Sequence, residues 1–175
     1  MVTTLLLFVG TATSYATEND HSAKIRDAVE KYFHKMDYKF SGFDEKNVAR
    51  TSFKIDSKLS SANIILRVQK DRLQVISLIA IKADEENRPA VAEYLLRANY
   101  GMKTGGFDFD FNDGEISYRV SIYCGEENFV PLTHEQIDHA IKLCAAMTQR
   151  YGDGLLKVLY GLQTPKEAIQ EVEGD

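Results

Sequence analysis

The sequence predicts an α+β domain, an antiparallel sheet packed with helices, and three observations carry that expectation. Segments with apolar residues three or four positions apart flank segments with apolar residues at every second position. The strand-like segments come in a run of three and a run of two, which argues against the strict βαβ alternation of a parallel sheet. A chain of 175 residues, 44% of them hydrophobic, can bury one sizeable core, so a single domain over 22–175 is expected, after an N-terminal segment 1–21.

The first helix starts near Ser22, where Ile25, Ala28, Val29, Tyr32, Phe33 and Met36 make one apolar stripe, with Asp20 or Ser22 as its cap. Extended chain follows, with Phe53 and Ile55 alternating against Ser52, Lys54 and Asp56. "NIILRVQ" (63–69) and "RLQVISLIAIK" (72–82) have a period of two and a gap at Lys70 and Asp71 short enough for a hairpin. "NRPAVAEYLLRANYG" (87–101) returns to helical spacing, with Pro89 in the first turn and Gly101 as the C-terminal stop. A second hairpin is expected across Asp113-Gly114, a turn pair of the primed type. Counted outward from it, Phe111 faces Ile116, Phe109 faces Tyr118, Phe107 faces Val120, and Asp108 faces Arg119.

Thr133 and Gln136 have the spacing of a capping box, and the apolar pattern after them predicts a long helix, bent or broken near Gly152 and Gly154. Thr164, Pro165 and Glu167 repeat the start signal for a short last helix. The main order is therefore helix, three strands, helix, two strands, helix. Each strand has one polar face, so one side of the sheet is expected to be solvated or to meet a partner.

"GGFDFDFNDGEISYRV" (105–120) looks at first like a calcium loop. With Asp108 at position one, Asp110 and Asn112 fit, but position six is Asp113 instead of glycine and position twelve is Arg119 instead of glutamate. The stretch reads better as a hairpin with a wet acidic face. "HEQIDH" (134–139) sets its two histidines five apart, and at ~100° per residue that points them to different sides of a helix, unlike a zinc-protease pair. "GMKTGG" (101–106) follows a helix rather than opening one, so it reads as a positive-φ turn and not a phosphate loop. No catalytic, cofactor-binding or metal residue is singled out and no cofactor is expected.

A net charge of −5 offers no broad cationic field, which argues against nonspecific nucleic-acid binding and favours a protein partner. The two cysteines, Cys124 and Cys144, form no CxxC pair and read as packed free thiols. No stretch approaches the ~20 apolar residues of a membrane span. The opening "MVTTLLLFVGTATSYA" has a short apolar run and small residues at Ser14 and Ala16, but no preceding Lys or Arg. A cytoplasmic location is expected, with export and cleavage after Ala16 as the alternative.

The segment "YLLRANYGMKTGGFDFDFNDGEISYRV" resembles the bacterial YbjN family. There an LLRxN-like helix end leads through glycine and a phenylalanine strand to a DG turn and a strand with Tyr-Arg. The matching positions are Leu95, Leu96, Arg97, Asn99 and Gly101, then Gly106, Phe107, Asp113, Gly114, Tyr118 and Arg119. The element order extends the similarity over about residues 22–161. The resemblance implies a type III secretion chaperone-like fold, a homodimer, and a role in sensory transduction or regulation, with no catalytic residues to carry over. The expected function is a non-enzymatic regulatory or chaperone-like protein-binding domain. The alternative is a small-ligand-binding or enzymatic domain whose site is assembled from residues distant in sequence.

Overall fold

In the computed structural model, which describes residues 20–174, the elements are α1 (Ser22–Met36), β1 (Val48–Lys54), β2 (Ser61–Val68), β3 (Arg72–Leu78), α2 (Arg88–Asn99), β4 (Gly106–Phe109), β5 (Ile116–Tyr123), α3 (His134–Leu159) and α4 (Pro165–Glu173). The expectation for the N-terminal sixteen-residue stretch lies outside the described residues. The five strands form one antiparallel sheet in the order β1-β2-β3-β5-β4. The architecture is α+β, as the periodicities predict.

Local chemistry accounts for the boundaries. Asp20 accepts the Ser22 N–H at 2.8 Å, one residue ahead of the cap position of α1. Both capping boxes form: Thr133 and Gln136 exchange backbone-to-side-chain bonds of 2.9 and 3.1 Å, and Thr164 and Glu167 do so at 2.9 and 3.3 Å. Each satisfies N–H groups that the first helical turn leaves without partners. β3 stops at Leu78 rather than running to residue 82. The chain beyond it keeps two backbone bonds to the second hairpin, Ile79 N–H to Ile116 O and Ala83 N–H to Gly114 O, both 3.0 Å.

The helices pack on one face of the sheet. Ala49, Leu66, Val75 and Val120 form a buried row across four strands on that face. α3 crosses it, with the Cys144 thiol 3.4 Å from Val75 O. Ser77, a polar residue at a core position, is bonded to the Thr148 hydroxyl at 2.6 Å, so neither buried hydroxyl is orphaned.

Two further sequence expectations are corrected. First, α3 is a continuous 26-residue helix with no break at Gly152 or Gly154. Those glycines admit neighbours: a Cβ at Gly152 would lie 2.6 Å from Leu59 Cδ1, and one at Gly154 only 2.4 Å from Tyr94 Oη. Second, the register of the second hairpin is displaced by two residues. Phe107 pairs with Tyr118 and Phe109 with Ile116. Gly114 does take a positive φ of 76°, but the Asp110 carboxylate accepts the Asn112 N–H at 2.7 Å, forming an Asx turn that enlarges the loop to Asp110–Glu115. Phe111 leaves the ladder and stands 58% exposed. A shift of two preserves the face of every residue, so the hydrophobic pattern alone does not oppose it.

Both cysteines are buried thiols. Burial pushes the Cys144 pKa up to about 12, and raises that of Cys124. The native protein at pH 8 is expected to react with Ellman's reagent far more slowly than the denatured chain, which should release two equivalents. Fast native labelling would contradict this packing.

Candidate protein-binding face

The sheet face opposite the helices is uncovered among the described residues, and strand alternation sets its composition. Arg50, Ile65, Ile76 and Arg119 form one cross-strand row. The next row on one side is Ser52, Asn63, Leu78, Ser117 and Asp108, and on the other Val48, Arg67, Gln74 and Ser121. An apolar strip of Ile65, Ile76 and Leu78 thus runs through a polar surface. Ile76, between Ile65 and Arg119 in the row, is only 9% exposed.

Charge on this face is divided. On the β1–β2 side, Arg50 has Asp44 at 3.8 Å, while Arg67 and Lys54 belong to no ion pair among the described residues. The β4–β5 side carries Asp108, Asp110 and Glu115. Between the two lies an open hollow of about 670 Å³ lined by the apolar strip, Phe109, Phe111, Arg67, Arg119 and these carboxylates.

Both sheet edges are largely closed. Segment 41–44 covers the outer edge of β1, with Ser41 N–H donating to Arg50 O at 2.9 Å and Asp44 N–H to Val48 O at 3.0 Å. Arg50 N–H and Val48 N–H in turn donate to Ser41 Oγ and Asp44 Oδ1, both at 2.9 Å. At the other edge the Asn99 carboxamide substitutes for a further strand. It accepts Phe107 N–H at 2.7 Å and donates to Phe107 O at 2.9 Å. Edges blunted in this way resist strand addition, which leaves the open face as the larger contact surface.

The residues weighed as chemistry in the sequence take structural roles. Asp108 pairs with Arg119 at 2.9 Å, across a diagonal rather than directly opposite. Asp113 pairs with Lys82 and accepts Glu115 N–H at 3.0 Å, and these bonds, the lysine first, hold its carboxyl below the usual range. Among the described residues no three His, Cys, Asp or Glu side chains converge as a metal site. His134 lies beside Tyr32, with ring centroids 6.0 Å apart, whereas His139 is exposed further along α3, so the two do not meet. In "GMKTGG", Gly101 and Gly105 have φ of 84° and 70°, the expected turn. A Cβ on Gly105 would lie 2.7 Å from Arg119 O.

Strand alternation implies a polar face on each strand, but neither the edge cover at Asn99 nor the adjacency of the arginines is visible in it. The signal was available in Arg50, Arg67 and Arg119 at outward positions, but their adjacency depends on strand order.

Comparison with known proteins agrees with this fold. The sequence model of YbjN, described as "Putative bacterial sensory transduction regulator", matches residues 26–157. Among solved structures the chain is similar to "YbjN, a putative transcription regulator from E. coli", with a TM-score of 0.50 and 8% sequence identity, over 73% of this chain and 90% of that one. No curated protein matches the chain.

Proposed function

Since the chain belongs to the YbjN family of bacterial regulators, we propose that it is a non-enzymatic regulatory domain that holds an extended segment of another protein against its open sheet face. In this reading it acts as a homodimer, in the manner of type III secretion chaperones. The observation that carries the reading is the apolar strip of Ile65, Ile76 and Leu78, set between the arginines of β1 and β2 and the carboxylates of the β4–β5 side on a face that no helix covers among the described residues. Apolar contact supplies affinity for a partner and the divided charge fixes its direction. The family's shared positions fit a scaffold role: Asn99 closes an edge, Gly114 docks the hairpin, and Tyr118 lies in the core.

A second copy has a separate surface to use. Leu96 in the last turn of α2 and Tyr100 at its C-cap stand 72% and 91% exposed and give the helical side an apolar patch. The expected solution mass by light scattering is twice 19.8 kDa. Arg67→Glu is expected to abolish capture of the partner from the native host while leaving the melting temperature and the mass unchanged. A monomer that captures nothing would sink the reading. The compartment in this proposal is the cytoplasm, and a native chain beginning at Thr17 would overturn that part.

A further inference from the structure

A second hollow lies in the helical layer, and we propose that it binds a small amphiphilic anion, an organic carboxylate with an apolar body. This site is separate from the open sheet face, because it is on the opposite side of the sheet, and it borders the second-copy surface only through Tyr100. Its volume is about 490 Å³, within the range of small-molecule sites, and it sits among the end of α2, the 100–105 loop, the middle of α3 and the end of α4.

The walls divide by chemistry. Ala98, Met102, Leu143 and Met147 supply apolar surface, and two methionines let that surface fit tails of different shape. Lys103, His139 and Arg150 supply the polar rim. On α3, His139, Leu143 and Met147 follow one another at four-residue spacing and Arg150 comes three residues later, so the helix presents head-group and tail contacts along one stripe. Among the described residues, neither Lys103, His139 nor Arg150 forms an ion pair. The hollow's one carboxylate, Glu173, already accepts the Tyr151 hydroxyl at 3.0 Å. Lys103 and Arg150 thus outnumber the carboxylate at the hollow, in a chain whose net charge is −5.

The 100–105 loop is tied to the domain by its own hydrogen bonds. Met102 N–H donates to Asn99 O at 3.2 Å, and the Tyr118 hydroxyl donates to Thr104 O at 2.6 Å. A preformed wall lowers the ordering cost of binding. One carboxylate head suits a rim where the cations Lys103 and Arg150 outnumber the carboxylate of Glu173, and the apolar floor gives a short tail its place. A longer polyanion would leave that floor unused.

The test uses the methionine methyls. Only Met1, Met36, Met102 and Met147 are present, and Met36 ends α1, away from the hollow. In the full chain carrying carbon-13 methyl methionine, sodium decanoate below its micelle concentration is expected to shift Met102 and Met147 saturably and to leave Met36 in place. Decyltrimethylammonium, with the same tail and the opposite charge, is expected to do neither. Arg150→Glu should weaken decanoate binding at least about tenfold, whereas Arg67→Glu on the sheet face should leave it unchanged. The proposal is overturned if Met102 and Met147 do not respond, or if both head groups shift them equally. It is also overturned if Arg150→Glu and Lys103→Glu, each with a wild-type melting temperature, bind decanoate as tightly as the parent.

Discussion

Gly114→Ala is expected to lower the stability of the domain by about 3 kcal/mol, which for a chain of this size moves the thermal midpoint down by roughly 6–12 °C. Two costs combine. The backbone at Gly114 has a φ of 76°, where an L side chain pays about 1–2 kcal/mol. The added Cβ would also lie 2.0 Å from Ala83 O, and that obstacle is backbone, not a side chain that can turn away. Relief requires separating the hairpin from residues 79–84 and loses the Ala83 N–H bond to Gly114 O. Gly42→Ala is the matched control, because Gly42 has a φ of 73° and nothing within 4 Å of its Cβ position. It pays only the conformational cost of about 1–2 kcal/mol, so its midpoint should fall by about one to two thirds as much. Equal losses at the two sites would mean that the hairpin does not dock as described.

Gly154→Ala tests the other close approach. Alanine is favoured over glycine within a helix by about 1 kcal/mol, so propensity alone predicts a stabilised protein. The structure predicts the opposite sign. The new methyl would fall 2.4 Å from Tyr94 Oη and 3.1 Å from Val172 Cγ2. Tyr94 is fully buried, and its hydroxyl donates to Tyr151 O at 2.8 Å. Moving the ring breaks that bond and loosens α4 from α2. Overpacking and a lost buried hydrogen bond together cost about 2–5 kcal/mol, so a net loss of about 2 kcal/mol is expected in urea unfolding. Tyr94→Phe should absorb part of this, making the double variant less destabilised than the sum of the single ones. Additive losses, or a gain from Gly154→Ala, would contradict the packing.

These two glycines also mark where the sequence was and was not readable. The helices were legible because stripes such as Ile25, Val29, Tyr32 and Met36 have one periodicity, and because Thr133 with Gln136 and Thr164 with Glu167 announce their helix starts locally. Gly152 and Gly154 looked like a break, since their propensity cost is visible in sequence while Leu59 and Tyr94 arrive from distant segments. The hairpin register is hidden from the sequence for a similar reason. Asp113-Gly114 is a strong turn signal, and the competing Asx turn at Asp110 and Asn112 shifts the pairing by two without turning any side chain to the wrong face. For the site, alternation showed that the strands have a polar side. Which side the helices leave open, and that Arg50, Ile65, Ile76 and Arg119 fall in one row, depend on the β1-β2-β3-β5-β4 order. The hollow between α2, α3 and α4 was least legible, since it draws on residues between 98 and 173 that meet only when α4 folds back.

The claim that the open sheet face is the working surface is tested most directly by site-specific photo-crosslinking in the native host. A benzophenone side chain placed at Gln74, in the middle of that face, should trap a discrete partner band, and the same probe at Ala146, exposed on α3, should not. The Gln74 band should vanish when Arg67→Glu is added. Crosslinking at Ala146 with none at Gln74 would contradict the account and move the working surface to the helices.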